Sequence, residues 1–240
     1  MSSARNRLSV AIIACDEEKK IGDAVRSASF ADEVLVVDSG SRDRTVEIAR
    51  DLGAKVVRES WLGFGRQKQM AVDLCANDWV FVLDSDERIT DALRSEVLET
   101  LREPAAKGYK VPRRNFFFGK AIRHGALYPD YTIRLFDRRS ARFTEDAVHE
   151  RVVVDGPVAT LRSPMEHFAH DTVEDLISTM NRYSSLGARE SLVRALFCPI
   201  WTFVRMYVLR LGFLDGREGF IIARLYSQYT FWKYVKRRPR

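Results

Sequence analysis

The sequence contains few cysteines, and their spacing shows no pairs. There are three in 240 residues, Cys15, Cys75 and Cys198, and the first two lie in apolar or helical stretches. Buried thiols are therefore the expected state, which argues against a disulfide framework and fits a reducing compartment. Internal repeats and low-complexity linkers are also missing, so we expect one α/β domain of ordinary size, with an appendage as the alternative.

Long uninterrupted apolar runs are missing as well. The segment Leu8–Ala14 is short for the hydrophobic region of a secretory signal peptide and continues directly into acidic residues, so we interpret it as the first strand. The most apolar segment, 195–211, is interrupted by Arg205 and Arg210, with Pro199 near its start. Because no 18 consecutive uncharged apolar residues occur, the sequence does not predict a membrane-spanning helix, and we expect a cytosolic protein.

Acidic residues are scarce at the C-terminal end of the sequence. Residues 194–240 contain ten Lys or Arg and two Asp or Glu, a net charge of +8. Since the whole chain carries +6, the remainder carries 6 − 8 = −2. A nearly neutral body is typical of an enzyme domain and argues against a nucleic-acid-binding protein.

The same basic segment carries many large aromatic side chains. Between residues 219 and 236, Phe, Tyr and Trp are interleaved with Lys and Arg. A helix of this composition suits the headgroup region of an anionic membrane, so we predict that residues 195–240 attach the protein to a membrane surface. The alternative is an amphipathic helical pair that packs on the domain or on another subunit, although packing would not require the basic excess.

Two apolar runs end in acidic side chains. The run 79–83 stops at Asp84, with Asp86 two residues later, and the run 34–37 stops at Asp38, which precedes a flexible Gly/Ser loop. Ligands of open α/β sheets bind at the carboxyl ends of the strands. Carboxylate oxygens at that edge suit Mg²⁺ or Mn²⁺ shared with substrate phosphates. The alternative is an ordinary turn in which the acid caps the next helix, but two acid-tipped strands favour a binding site.

Apolar runs of strand length alternate with helical patterns over the first half of the chain. This alternation predicts a mostly parallel sheet with right-handed crossovers. After Pro104 and Gly108, strand-like segments lie in irregular polar sequence, and helices follow them. The predicted strands are 8–14, 34–38, 55–58, 79–84, 109–111, 133–136 and 152–154, and the predicted helices are 18–27, 45–52, 66–75, 91–101 and 173–188.

With these motifs in place, the sequence resembles the family 2 glycosyltransferases, and more narrowly the WaaE/KdtX-type enzymes of lipopolysaccharide core assembly. The match runs in the expected order over nearly the whole chain. Asp16 and Gln69 each stand where the family usually has Asn, and both keep hydrogen-bonding capacity. The matching segments are 14–18, 36–43, 65–69, 83–87, 128–130, 134–136, 148–150 and 212–216.

The resemblance implies a GT-A fold (a Rossmann-like, mostly parallel sheet), a nucleotide-diphospho-sugar donor and inversion at the anomeric carbon, with Mn²⁺ or Mg²⁺ as cofactor. It implies that Asp38 holds the nucleoside, with Asp16 or Glu17 nearby. Asp86 would ligate a divalent ion that bridges the two phosphates, and Asp84 would support the metal or the ribose.

Other residues are weaker candidates within the same resemblance. Lys68 is a candidate donor contact, with a solvated lysine on an exposed helix face as the alternative. Arg134 would contact phosphate or an acidic acceptor, with a structural ion pair as the alternative. His167 would be a second metal ligand or a phosphate contact, and His170 is a weaker choice for that role; a surface histidine is the alternative for each.

An inverting transfer needs a carboxylate that takes the proton from the acceptor hydroxyl, on the face opposite the leaving group. The resemblance assigns this role to Glu150, with Asp146 and Asp130 as rivals. His149 is expected to orient the acceptor or the diphosphate, and a structural histidine is the alternative.

The functional hypothesis is a metal-dependent inverting transferase on the inner face of the bacterial cytoplasmic membrane. It would move a hexose, glucose from UDP as first choice, to an inner-core heptose of lipopolysaccharide or a similar glycolipid. Polyprenyl phosphate, capsule or peptide acceptors are alternatives, and a homo-oligomer is compatible with all of them. A nucleotidyltransferase is disfavoured because loop 15–18 is acidic, and a non-catalytic membrane adaptor is disfavoured by the intact acid motifs.

The expected domain organisation follows from the same reading. Residues 1–190 would form the glycosyltransferase domain, with a nucleotide-sugar half at 1–103 and an acceptor half at 104–190. Residues 191–240 would form a basic, aromatic, helical extension.

Overall fold

The computed structural model describes residues 5–144 and 150–236. The chain forms two compact units, which we call the sheet unit and the helical unit. The sheet unit comprises Met1–Arg113 and Tyr131–His167, and the helical unit comprises Arg114–Asp130 and Phe168–Arg240. The predicted boundary between residues 190 and 191 divides the chain by expected function and not by compactness, and it stays a prediction.

The sheet unit begins with the predicted alternation of strands and helices. Its side chains support this: β-branched residues are frequent in the strands, and the Thr90 hydroxyl caps the fourth helix by accepting the Leu93 N–H. The first strands are β1 (Leu8–Ala14), β2 (Glu33–Asp38), β3 (Lys55–Arg58), β4 (Trp79–Asp84) and β5 (Glu87–Arg88), and the helices are α1 (Ile21–Ala28), α2 (Thr45–Asp51), α3 (Phe64–Asp73) and α4 (Asp91–Thr100).

The strand predicted at 152–154 is confirmed, but two other later strands are longer than the sequence predicted. The segments expected at 109–111 and 133–136 are parts of longer strands, because sheet pairing continues through polar residues that interrupt the apolar pattern. The strands of this second part of the chain are β6 (Gly108–Phe117), β7 (Lys120–Ala121), β8 (Asp130–Asp137), β9 (Ala141–Phe143), β10 (Val152–Val154), β11 (Val158–Thr160) and β12 (Met165–His170).

The strand order in the main sheet is β3-β2-β1-β4-β8-β6-β12-β5. β1 pairs in parallel with both β2 and β4, and β2 pairs in parallel with β3, whereas β8 is antiparallel to β4. The register places Asp38 beside Ala14 and Asp84 beside Ile13. The acidic ends of β2 and β4 therefore flank the end of β1 at one edge of the sheet.

The sheet has an apolar cluster on each face. Along β1, Val10 and Ile12 belong to one cluster and Ala11 to the other; along β4, Phe81 and Val82 divide in the same way. Successive side chains of a strand point to opposite faces. Both faces are therefore buried, which explains why the sequence shows continuous apolar runs rather than alternation.

The helical unit ends in an antiparallel helix pair. The Ser191 N–H donates to the Tyr234 carbonyl at 3.0 Å, and the Phe203 and Phe220 rings lie 5.9 Å apart between centroids, so the start of one helix meets the end of the other. The elements are α5 (Val173–Leu186), α6 (Leu192–Phe203), a π-helical segment (Val204–Leu209), a 3₁₀ turn (Gly212–Asp215) and α7 (Gly216–Val235).

The turn 212–216, which carried part of the narrower resemblance, is a packing element here. The buried Asp215 carboxylate accepts the backbone N–H groups of Arg123 at 3.2 Å and His124 at 2.8 Å. A Cβ on Gly219 would collide with the Gly212 carbonyl oxygen. Both observations assign this motif a structural role within the helical unit.

One helix among the described residues is long and apolar enough to cross a membrane by length and composition. It covers Leu192–Leu209, and 11% of this segment is buried. The expectation from sequence was that a spanning helix would need 18 residues without charge. This helix reaches 18 residues only by including Arg194 and Arg205.

Candidate active site

The carboxyl ends of three neighbouring strands carry the predicted donor-binding residues. Asp38 ends β2 and Asp84 ends β4, while the turn after β1 contributes Asp16 and Glu17. β1 lies between the other two strands. These residues therefore share the sheet edge at which open α/β sheets bind ligands.

The Asp38 carboxylate is fully buried and organises the loop that follows β2. It accepts the backbone N–H groups of Gly40 at 3.1 Å and Ser41 at 3.2 Å, and it also accepts the Ser41 hydroxyl. Arg58 Nε lies 3.8 Å from the same carboxylate. Gly40 has φ of +99°, which glycine adopts without strain. The role of Asp38 in nucleoside binding stays a prediction.

The turn after β1 is bonded to the loop after β2 at successive residues. The Asp16 carboxylate accepts the Arg42 N–H at 2.8 Å. Burial, and secondarily the negative charge of Asp86, raises the pKa of Glu17. The N–H groups of residues 16, 17 and 18 donate in turn to Ser41 Oγ at 2.9 Å, Thr45 Oγ1 at 2.7 Å and Asp43 Oδ2 at 3.0 Å.

Lys68 of α3 links two of the predicted site carboxylates. Its side chain is buried, and Nζ lies 2.9 Å from Asp84 Oδ1 and 3.2 Å from Glu150 Oε1. Burial acts to lower the pKa of Lys68, but the two carboxylates outweigh it and the pKa is raised. This geometry excludes the alternative of a solvated lysine on an exposed helix face.

Arg134 of β8 joins Asp84 to a carboxylate that the sequence reasoning missed. Its Nη2 lies 2.8 Å from Asp84 Oδ2 and 2.6 Å from Glu87 Oε1. Glu87 is fully buried, accepts the Asp84 N–H at 3.0 Å and lies 3.4 Å from Arg113 Nη1. The available signal was the third acid in the run 84–87, which the apolar strand before it carries to the same edge.

The charges in this network stabilise one another. Burial alone would raise the pKa of Asp84, but Arg134 and Lys68 hold it well below its usual range. Burial likewise opposes the charge of Arg134, and Asp84 and Glu87 raise its pKa instead. The Asp84 carboxylate is therefore ionised at every physiological pH.

Asp86 and His167 form the candidate metal site. The pairing of β5 with β12 sets His167 opposite Glu87, and His167 Nε2 lies 3.4 Å from Asp86 Oδ2. Both side chains are partly exposed, at 17% for the histidine and 27% for the aspartate. A carboxylate oxygen and an imidazole nitrogen suit Mn²⁺, and an ion with few protein ligands completes its shell with phosphate and water oxygens. The two residues thus fit an ion shared with a diphosphate.

Across the described residues, no group of three or more His, Cys, Asp or Glu side chains is placed to hold a metal ion by itself. An ion at Asp86 and His167 would therefore complete its coordination with oxygens of the substrate or of water.

Four sequence candidates remain. Asp146 and His149 lie outside the described residues. Asp130 opens β8 and His170 ends β12, and both belong to the helical unit. Lys68 connects the base candidate Glu150 to the strand-end Asp84 through two ion pairs.

Glu150 is also packed closely against the start of α3. A Cβ on Gly65 would lie 2.5 Å from the Thr144 carbonyl oxygen and 3.4 Å from the Glu150 Cβ. Only glycine permits so close an approach of the backbone. The segment from Gly65 to Lys68 therefore contacts Glu150 at both its Cβ and its carboxylate.

Comparison with known proteins gives a consistent family assignment. The family model described as Glycosyl transferase family 2 matches residues 9–167. The lipopolysaccharide core biosynthesis glycosyltransferase LpsC of Rhizobium meliloti is 31% identical, over 95% of this chain and 91% of its own. An uncharacterized glycosyltransferase of Rickettsia typhi is 29% identical, over 97% of this chain and 87% of its own.

A solved structure is similar over most of the fold. The crystal structure of S. aureus TarS 1-349 matches 94% of this chain and 91% of that chain, with a TM-score of 0.51 and 14% sequence identity. At this identity the likeness concerns the fold alone. Together with the strand order, it confirms the predicted GT-A class.

Proposed function

Because the chain belongs to glycosyl transferase family 2, as the resemblance predicted, we propose that it is an inverting, metal-dependent transferase that moves a hexose from a nucleotide-diphospho-sugar to a glycolipid. UDP-glucose is the proposed donor, and an inner-core heptose of lipopolysaccharide or a similar glycolipid is the proposed acceptor. The observation that carries the proposal is the Lys68 bridge between the strand-end Asp84 and Glu150.

The donor is assigned to the ends of β1, β2 and β4. Asp16 and Asp38 lie in two loops that are joined by hydrogen bonds and border one side of this edge, so we assign the nucleoside to them. Lys68 and Arg134 keep Asp84 ionised. An ionised Asp84 can accept a ribose hydroxyl or support a cation.

Asp86 and His167 would hold the divalent ion, Mn²⁺ or Mg²⁺. When bound, the ion offsets the negative charge that develops on the departing diphosphate. His167 is positioned for this by strand pairing rather than by a flexible loop, so the two side chains need little rearrangement to share a ligand.

Glu150 is the proposed catalytic base. It would take the proton of the acceptor hydroxyl as that oxygen attacks the anomeric carbon and the nucleoside diphosphate leaves from the opposite face. A single displacement of this kind needs one positioned carboxylate. Lys68 and Gly65 provide the positioning, through the ion pair at 3.2 Å and the close backbone packing.

Two observations support a glycolipid acceptor at the cytoplasmic face of the bacterial membrane. LpsC, which is similar over 95% of this chain, is by name a lipopolysaccharide core biosynthesis glycosyltransferase. Residues 194–240 carry a net charge of +8, and a basic surface is attracted to an anionic leaflet. A polyprenyl phosphate, a capsule intermediate or a peptide would be the acceptor in the alternative form of the proposal.

The test is turnover of UDP-glucose and a panel of other nucleotide sugars. Release of nucleoside diphosphate is measured with Mn²⁺, Mg²⁺ or EDTA, with and without extracted lipopolysaccharide core lipid. We expect metal-dependent release that rises with core lipid, and a fall in kcat of about 10²- to 10⁴-fold in Glu150→Gln, the usual range for loss of a general base. Asp86→Ala should raise the metal concentration needed for half-maximal rate.

Matched controls separate a specific loss from a general one. Glu99→Gln makes the same change on the exposed surface of α4, where Glu99 pairs with its helix neighbour Arg102 at 3.2 Å, and should retain full activity. The anomeric configuration of the product, read by NMR, must be opposite to that of the donor. Retention of configuration would exclude the inverting mechanism, and failure to turn over any nucleotide sugar would exclude the enzyme proposal.

A further inference from the structure

The helical unit exposes a continuous apolar surface along α6. Six large apolar side chains of this helix are between 59% and 77% exposed. They recur every four residues in two adjacent rows, so they share one face of the helix. We call this surface the α6 face; it consists of Leu192, Val193, Leu196, Phe197, Ile200 and Trp201.

The apolar exposure continues beyond the end of α6. Five large apolar side chains in the π-helical segment and the turn after it are between 45% and 57% exposed, namely Val208, Leu209, Leu211, Phe213 and Leu214. Soluble monomers rarely leave a contiguous apolar area of this extent uncovered unless it meets a partner or a membrane.

The aromatic helix that the sequence singled out is not the source of this surface. Tyr226, Tyr229 and Trp232 of α7 pack against the apolar cluster of the helical unit, which includes Leu176 and Met180 of α5. α7 therefore uses three of its six aromatic side chains for packing against this cluster. The exposed apolar surface belongs to α6 and the turn that follows.

Attachment to α7 prevents α6 from crossing a bilayer by itself. The Ser227 hydroxyl donates to the Pro199 carbonyl at 2.8 Å, and the Thr202 and Thr230 hydroxyls lie 3.2 Å apart. α7 carries four charged residues within its 20 residues, Arg217, Glu218, Arg224 and Lys233, which makes it unsuited to the hydrocarbon region. A helix fastened along such a partner can enter a bilayer only with its free face.

The charges around the α6 face fit an anionic surface. Residues 191–214 contain no Asp or Glu and contain Arg194, Arg205 and Arg210, all of which are exposed. Arginines at the border of an apolar helix face lie at headgroup level when the face is buried in a leaflet. A second copy of the chain on the same face would bring these cations together, so charge complementarity favours lipid over self-association.

We propose that the α6 face inserts in the plane of an anionic phospholipid leaflet, as a monotopic anchor, with Arg194, Arg205 and Arg210 among the headgroups. The proposal rests on the proposed function only for the membrane at which the enzyme works. It names bilayer phospholipid, not the acceptor glycolipid, as the partner of this surface.

Vesicle co-sedimentation of the full chain tests this surface without any sugar chemistry. The vesicles contain phosphatidylglycerol and phosphatidylcholine, or phosphatidylcholine alone, and no glycolipid. Phe197→Glu combined with Trp201→Glu should lower the partition coefficient on anionic vesicles by more than about tenfold. Phe231→Glu, the same change at an exposed position of α7 (38% exposed), should lower it less than about twofold. Equal binding by all three proteins would overturn the proposal.

Two further measurements separate the competing arrangements. In a Cys15→Ser, Cys198→Ser background, Ser191→Cys and Arg210→Cys should both react with a membrane-impermeant thiol reagent added outside the vesicles. Protection of one of the two would mean that the helix spans the bilayer. The solution masses of the wild type and of the Phe197→Glu, Trp201→Glu protein are also compared. A dimeric wild type and a monomeric variant would mean that a second copy covers the α6 face.

The outcomes are independent of the proposed transferase activity. Donor turnover is measured in parallel in detergent, where no bilayer is present. Vesicle binding with no turnover would leave the anchor in place and remove the proposed function, whereas turnover without vesicle binding would do the reverse. Circular dichroism of the exposed-site variants confirms that they fold.

Discussion

Replacing Lys68 with methionine removes the buried cation between two carboxylates while keeping a side chain of similar length. The substitution breaks the ion pairs that Nζ forms with Asp84 at 2.9 Å and with Glu150 at 3.2 Å. Asp84 keeps Arg134 at 2.8 Å. The uncompensated group is therefore Glu150, whose side chain is 19% exposed.

The expected loss of stability follows from this difference between Asp84 and Glu150. Removal of one partner from a fully buried ion pair costs about 3–5 kcal/mol. Here one carboxylate stays paired and the other is partly hydrated, so we expect Lys68→Met to lower the free energy of unfolding by about 1–2 kcal/mol. If Lys68 acts by positioning Glu150, kcat should fall about 10- to 100-fold, because small displacements of a catalytic group have effects of this size. If it contacts the donor instead, KM for the nucleotide sugar should rise.

Denaturant unfolding and a double-mutant cycle with Glu150→Gln measure the coupling directly. We expect a coupling energy of about 0.5–3 kcal/mol, the range found for residues in contact. Lys55→Met is the matched control, because Lys55 is 58% exposed and lies 4.0 Å from its partner Glu33. A coupling energy of zero, with a stability change no larger than that of the control, would refute the bridging role of Lys68.

Three further predictions concern stability and reactivity. Hydrogen bonds from Arg139 lower the pKa of Asp137 to about 2. This carboxylate therefore stabilises the protein above its unfolded pKa of about 3.9, and the stabilisation is lost as the pH falls toward 2. The free energy of unfolding, measured against pH, should fall by up to about 2 kcal/mol over this range, and Asp137→Asn should lack this dependence. Burial raises the pKa of Cys75 to about 12, so iodoacetamide at a pH of about 8 should modify the exposed Cys15 and spare Cys75, as read by mass spectrometry. Asp215→Ala leaves the backbone N–H groups of Arg123 and His124 without their buried carboxylate acceptor and should destabilise the protein by about 2–4 kcal/mol in thermal unfolding.

The first half of the fold could be predicted because local and global signals agree there. The strands β1, β2 and β4 are buried along most of their length on both faces, so each is a continuous apolar run in the sequence. β6 was predicted too short because Pro112, Arg113 and Arg114 interrupt its apolar pattern, and β8 because polar residues stand at both of its ends. The charge of Arg113 is paired with Glu87, 26 positions away in sequence, and no local pattern reports such a partner.

The candidate site shows the same division. Asp38, Asp84 and Asp86 could be located from the strand ends alone, because parallel strands deliver their carboxyl ends to one edge. The pairing of Lys68 with Glu150 joins residues 82 positions apart, and spacing carries no information about it. Glu87 was overlooked as a separate group because its burial and its two arginine partners cannot be read from neighbouring residues in the sequence.

The bonds between the turn at 16–18 and the loop at 41–45 have a consequence for the evolution of donor choice. The three N–H groups of the turn are already engaged by side-chain oxygens of the loop, so they cannot form the open anion-binding nest that a triphosphate would require. The hydrogen bonds hold the two segments together, so a substitution in either one should displace the other. If these loops bind the nucleoside as proposed, a change of nucleotide preference would have to be inherited as a matched pair of loops, and grafting one loop alone from a relative should disrupt their hydrogen bonds instead of transferring its specificity.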